Sequence, residues 1–264
     1  MEIKKLFAVD VDGTLLPKGE SELPAFSRDF LHDLQKEGYW VVLLSGRPYR
    51  AMEKAYKALG GNTPLVSYNG QQIRFPGEKT LTRSFPLSSV KRFIANAKGH
   101  FHSIQAESED TIFRKEENKF LNNYFPLEGM KIEVGEVEEI VSGEPMSLVL
   151  QEDLEELPFL KETAELEEGI SLRAWSTCPY CELYIPWIHK GSALAIIKER
   201  YGLSKEDVIA FGDSNNDFEM LNEAGLAFTM KDSQSQLLRE SFPLTEFSSR
   251  EDGVAREIKR ILGK

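Results

Sequence analysis

Leu6 to Val9 is an apolar run with an aromatic and a β-branched residue. It stops at two carboxylates, Asp10 and Asp12, followed by Gly13. Such a run fits a strand buried on both faces, the setting of a parallel sheet covered by helices. Side chains alternate along an extended chain, so Asp10 and Asp12 leave the strand's end on one side, and Gly13 lets the backbone turn sharply. Two like charges there repel unless a cation sits between them or each has its own task. Alone, Asp-x-Asp-Gly is as often a solvated turn, and the rest of the chain shifts that balance.

After this motif Leu23, Phe26, Phe30, Leu31 and Leu34 recur at helical spacing, and Gly38 stands where a C-terminal cap belongs. Tyr39 to Leu44 is a second apolar run. It ends in Ser45-Gly46-Arg47-Pro48, with Pro48 placed to open a helix through Ala51, Ala55 and Leu59. Strand, helix, strand, helix predicts a parallel sheet, whose ligands lie beyond the carboxyl ends of its strands. Ser45 then shares a rim with Asp10, and a hydroxyl with exposed amides ahead of a helix is a ready phosphate contact. Pro64 to Asn69-Gly70 reads as a third strand ending in a polar turn.

From about residue 71 short alternating stretches surround helices near 88–98 and 153–166, the texture of an α+β module. We expect an inserted domain over 82–187 and a core made of 1–81 and 188–264. The piece 116–145 carries little pattern. The βα rhythm resumes at Lys190-Gly191-Ser192 and a helix closed by Gly202. Val208 to Phe211 then runs into Gly212-Asp213-Ser214-Asn215-Asn216-Asp217. Asp213, Asn215 and Asp217 match the first ligand positions of a calcium loop, but Phe218 replaces the required glycine and Ala224 the final glutamate. A Mg2+ site shared with Asp10 fits better. Lys190, just past the insertion at a helix start, is placed to meet phosphate.

An aspartate is ionised at neutral pH and attacks without a base to activate it; phosphorus is its natural target. A phosphate ester is itself an anion, so a hard divalent cation is needed to cancel charge. Asp12 can protonate the leaving oxygen and later deprotonate the water.

The formal charge is -11, and residues 82–187 hold 10 Lys and Arg against 20 Asp and Glu. This acidic middle argues against nucleic acid or an anionic membrane as partner. Two cysteines imply no disulfide framework, and no apolar run is long enough to span a bilayer, so a cytoplasmic protein is expected. Cys178-Pro179-Tyr180-Cys181 matches a redox dithiol, but the residues after it read as strand where that chemistry needs a helix.

Together, Asp10-x-Asp12-Gly-Thr, Ser45-Gly-Arg-Pro, Ser67-Tyr-Asn69-Gly, His189-Lys190-Gly191, Gly212-Asp213-x-x-Asn216-Asp217 and Asp252-Gly253-Val254-Ala255 resemble the haloacid dehalogenase superfamily. More narrowly they are similar to Cof-type phosphatases with a type IIB cap. The resemblance implies a Rossmannoid α/β core with helices on both faces of a parallel sheet, plus an inserted α+β cap that opens and closes. It implies Asp10 as nucleophile and Asp12 as general acid and base. Mg2+ would be held by Asp10, the Asp12 carbonyl and Asp213, with Asp217 in support. Phosphate would be gripped by the Val11 amide, Ser45, Gly46, Lys190 and Asn216; Asn69 is expected as a further substrate contact, and Arg47 either to touch substrate or to pair with the cap. The implied reaction is hydrolysis of small phosphomonoesters such as sugar phosphates, by a monomer or weak dimer. A phosphomutase or a non-catalytic phosphate-binding protein would keep the same core.

Overall fold

The structure, a computed structural model, describes residues 3–20, 22–175 and 178–264. It divides into two compact units, the first of Met1–Leu81 and His189–Lys264, the second of Thr82–Ile188. The chain begins with β1 (Leu6–Asp10), α1 (Ala25–Lys36), β2 (Trp40–Leu44), α2 (Tyr49–Ala58), β3 (Leu65–Ser67), β4 (Gln72–Arg74) and β5 (Leu81–Thr82). The second unit follows with α3 (Leu87–Ala97), β6 (Ser103–Glu107), β7 (Thr111–Arg114), α4 (Lys119–Tyr124) and β8 (Lys131–Val134). It continues through α5 (Val137–Ile140), β9 (Ser147–Gln151), α6 (Leu157–Glu165), β10 (Ser171–Ala174) and β11 (Tyr180–Tyr184). The first unit resumes with α7 (Lys190–Tyr201), β12 (Val208–Gly212), α8 (Phe218–Asn222), β13 (Leu226–Thr229), α9 (Gln236–Ser241) and α10 (Gly253–Ile261).

In the first unit the strands lie in the order β13-β12-β1-β2-β3-β4-β5. Five of them, β13 to β3, are parallel, as the helical spacers require. The sheet is mixed because β4 returns antiparallel to β3. The cause is local: Tyr68 and Asn69 take φ of 48° and 53° and Gly70 follows at 111°, reversing the chain within three residues. A parallel return needs a crossover of a dozen residues or more.

Each central strand feeds two cores, which is why it reads as unbroken apolar sequence. Phe7 and Val9 of β1 pack with Leu31, Leu34, Met52 and Ile258 on the side of α1, α2 and α10. Leu6 and Ala8 pack with Leu194, Ile197, Met220 and Leu238 on the side of α7, α8 and α9. Helices thus cover both faces.

The second unit is a six-stranded sheet ordered β10-β11-β9-β6-β7-β8, antiparallel except for the pair β7 and β8. Val90, Phe93, Val137, Leu160 and Ala164 from α3, α5 and α6 bury one face of it against Ile104, Phe113, Leu150 and Leu183. Cys181 belongs to this core. The unpatterned piece 116–145 holds α4, β8 and α5, and every residue of β8 is exposed.

Candidate active site

Strand register sets the rim of the first unit. Asp10 pairs with Leu44, Leu44 with Val66, and Val9 with Phe211, so the residues just beyond these positions leave the sheet along one edge. The connections from β1 build toward β2 on one side, while β12 and β13 lie on the other. Asp10 therefore sits at the reversal of strand order, where sheets of this type bind ligands.

Lys190 joins the acidic groups. Its Nζ donates to Asp10 Oδ1 at 2.5 Å and to Asp217 Oδ1 at 2.6 Å, and the residue is 1% exposed. Burial works against the ammonium, yet the Asp10 and Asp217 carboxylates outweigh it and hold Lys190 above the ordinary lysine value. Asp10 is pushed up to about 7, by burial first and by the Asp217 charge next, with Lys190 pulling the other way. Asp217 is raised by burial too. Its second oxygen accepts the backbone amides of Asp213 at 3.0 Å and Ser214 at 3.1 Å, so it braces the loop after β12 as well as Lys190. The start of α7 is seated against α8 by close backbone contact: a Cβ on Gly191 would lie 2.6 Å from the Glu219 carbonyl.

Asp213 is pushed up to about 6 by burial and the nearby Asp10 charge. Its Oδ1 accepts the Ser214 hydroxyl at 3.1 Å, its Oδ2 meets Lys18 Nζ at 2.9 Å, and its carbonyl accepts Ser233 Oγ. One carboxylate oxygen from each of Asp10, Asp213 and Asp217 lies within 4.8 Å of the others, the one such group of possible ligands among the described residues. Mg2+ takes oxygen ligands at about 2.0–2.1 Å from one or two carboxylates, filling the rest with water and phosphate oxygens. Asp10 and Asp213 fit that demand. The Asp217 oxygens are held by the buried Lys190 and by backbone amides, whereas Asp213 Oδ2 meets the exposed Lys18, which fits Asp217 as a supporting group.

Asp12 is held by Arg47 in a two-point ion pair, Nε to Oδ2 at 2.7 Å and Nη2 to Oδ1 at 2.5 Å. Arg47 comes from the turn after β2, where its amide donates to Ser45 Oγ at 3.1 Å. That turn is tied to the one after β3: Asn69 N donates to the Ser45 carbonyl at 2.9 Å, and Tyr68 N to that of Arg47 at 3.1 Å. Asn69 Oδ1 accepts Asn216 Nδ2 at 2.9 Å, and a Cβ on Gly46 would come 3.0 Å from Asn69 Nδ2. Val11 is buried in the tight loop after β1, where its carbonyl accepts Leu16 N at 2.7 Å.

Two connected groups result: Asp10, Lys190, Asp217, Asp213 and Lys18 in one, Asp12, Arg47, Ser45, Gly46, Asn69 and Asn216 in the other. Lys18 had no signal in the sequence, since a lysine beside a glycine in a loop is ordinarily solvated. Asp252 and Gly253, part of the motif set, serve packing: Asp252 Oδ1 accepts both the amide and the hydroxyl of Ser27, joining α10 to α1. His189 caps α7 by accepting Ser192 N at 3.1 Å. Cys181 lies on β11, its thiol pushed up by burial, so the cysteine pair runs directly into a strand. Trp175 and Tyr180 pack with Phe120 and Tyr124 in an aromatic cluster. Among the described residues no helix is long and apolar enough to cross a membrane.

The model of haloacid dehalogenase-like hydrolases matches residues 7–258. The chain is 30% identical over 271 residues to the 5-amino-6-(5-phospho-D-ribitylamino)uracil phosphatase YitU of Bacillus subtilis, covering 98% of each. It is 25% identical over 240 residues to the pyridoxal phosphate phosphatase YbhA of Escherichia coli, covering 86% of this chain and 87% of that one. A solved haloacid dehalogenase-like hydrolase from Bacteroides thetaiotaomicron superposes with a TM-score of 0.84 at 25% identity, covering 97% of this chain and 99% of that one. A match over nearly the whole length, with the acidic motifs gathered on one rim, makes this chain a member of the haloacid dehalogenase-like hydrolase family.

Proposed function

We propose that this protein is a Mg2+-dependent phosphatase that hydrolyses a small phosphomonoester through an aspartyl-phosphate on Asp10. The observation that carries the reading is the buried Lys190 ammonium bridging Asp10 and Asp217, with Asp213 beside them. Burying that much charge at a strand end is expensive, and a phosphate-transfer site gives it a use. Asp10 and Asp213, with the Asp12 carbonyl, would hold the ion; when bound it cancels charge on phosphate oxygens as the nucleophile approaches.

Lys190 fixes one Asp10 oxygen, so the other is the attacking atom. Attack forms an Asp10–phosphorus bond as the ester bond breaks, and the leaving oxygen takes a proton from Asp12. Water then gives its proton to Asp12 and cleaves the acyl phosphate, restoring the Asp10 carboxylate and releasing inorganic phosphate. In the Arg47 pair both Asp12 oxygens accept hydrogen bonds, so exchanging a proton with the leaving oxygen or with water requires that pair to open. Ser45, Gly46, Asn216 and the Val11 amide are assigned to the phosphate, with Arg47 and Asn69 at its edge.

For the leaving group, the two named relatives act on phosphates attached to a nitrogen heterocycle or its side chain. We therefore infer a phosphorylated metabolite of that kind ahead of a plain sugar phosphate. The test is phosphate release from a panel of phosphorylated heterocycles, sugars and nucleotides, with Mg2+ and with chelator. Turnover should need Mg2+ and be lost in Asp10→Asn. Hydrolysis that persists unchanged in that variant would refute the assignment, and a requirement for a sugar bisphosphate would point to a mutase instead.

A further inference from the structure

We propose that Lys18 competes with Mg2+ for Asp213: its ammonium pairs with the Asp213 carboxylate, Mg2+ displaces it, and the pair so sets the affinity for metal. The inference rests on the metal-dependent reading above. Lys18 Nζ lies 2.9 Å from Asp213 Oδ2, and the other Asp213 oxygen already accepts the Ser214 hydroxyl. Oδ2 is the Asp213 oxygen that faces the loop of Asp12 and Gly13, so a divalent cation held between Asp10, the Asp12 carbonyl and Asp213 meets the Lys18 ammonium on that oxygen. The two positive ions repel at that distance, so they exclude one another.

The two lysines of the cluster differ in what they can do next. Lys190 is 1% exposed and bonded to two carboxylates, so it has nowhere to go. The Lys18 side chain is 54% exposed, so a displaced ammonium passes directly into water. Its stem reaches the carboxylate across Gly13, where a Cβ would stand 2.7 Å from Lys18 Cε and 2.5 Å from Asp213 Oδ2. The backbone on either side holds the loop, with Glu20 N donating to the Pro17 carbonyl at 3.0 Å, so only the side chain has to move.

Charge balance points the same way. With all four ionised, the carboxylates of Asp10, Asp12, Asp213 and Asp217 face the cations of Lys190 and Arg47 and leave two negative charges. Lys18 cancels one of them; a divalent ion in its place cancels both.

The experiment is calorimetric titration of the intact chain with Mg2+, for wild type, Lys18→Met, Lys18→Ala and Lys18→Arg, with melting curves in chelator and in saturating Mg2+. Both neutral variants should bind Mg2+ roughly tenfold more tightly, because a charge-assisted pair no longer has to be broken. They should also melt below wild type in chelator, with the gap closing in Mg2+. Lys18→Arg keeps the counterion and should bind like wild type. Lys36→Met, which removes an exposed charge at the end of α1 that leads into β2, should leave affinity unchanged. Neutral variants that bind no more tightly than wild type, or an equal gain in Lys36→Met, overturn the inference and leave the phosphatase reading standing. A wild type that binds no Mg2+ overturns both.

Discussion

Replacing Lys190 by methionine removes the one buried cation between Asp10 and Asp217, at 2.5 and 2.6 Å from their oxygens. Methionine fills similar space, so the loss is electrostatic. Breaking a buried ion pair from one side costs about 3–5 kcal/mol, because the partner is left charged and unpaired. Here two carboxylates are left, and protonation is their escape. Holding a carboxyl neutral costs about 1.4 kcal/mol for each pH unit above its pKa. The destabilisation must therefore grow with pH: smaller at acid pH, where the two carboxyls are more readily protonated, and about 3–5 kcal/mol near pH ~8. Urea unfolding in chelator, followed by circular dichroism at acid pH and at the higher pH, measures both. A loss under about 1 kcal/mol at the higher pH, or one flat across the range, refutes the reasoning that Lys190 is the essential counterion.

Wild type without metal has its own pH signature. Asp10 at about 7 and Asp213 at about 6 lie above the unfolded value of about 3.9, so the folded state binds more protons between these limits. Stability should be greatest below about pH 4 for these groups and fall as pH rises through about 7, with Mg2+ cancelling the fall; melting temperatures that rise over this range in chelator contradict it. Gly191→Ala drives a methyl into the Glu219 carbonyl and should cost about 1–3 kcal/mol in urea unfolding, with turnover reduced because α7 carries Lys190. Cys178→Ser should leave phosphate release unchanged within about twofold, and a large loss would revive a thiol mechanism.

The strands nearest the site were readable because burial on both faces forces continuous apolar sequence, as in Leu6 to Val9 and Val208 to Phe211. Glycines after the helices were equally plain: Gly38 and Gly202 both take positive φ. What escaped notice lacked that signal. The exposed strand β8 puts no side chain into a core, so Lys131 to Val134 shows no buried face. The return of β4 depends on left-handed Tyr68 and Asn69, and nothing about a tyrosine predicts φ of 48°. Acidic residues at strand ends drew attention because unpaired charge there needs a reason. The pairing of Arg47 with Asp12 and of Lys18 with Asp213 had no such marker, since long cationic side chains find partners only after the loops are folded.

Asp10 and Lys190 are separated by 180 positions in the chain, and β12, the immediate neighbour of β1, lies farther still along it. While the polypeptide emerges from the ribosome, the amino-terminal third has one flank of β1 open and Asp10 without its Lys190 partner. The contiguous stretch between the two halves holds a complete sheet and is free to condense first. Closure then waits on a long-range encounter, which is slow because so much loop entropy must be surrendered before any contact repays it. Synthesis arrested ahead of residue 190 would thus yield an ordered insert beside an inert fragment, and catalytic competence would arrive in a single late event.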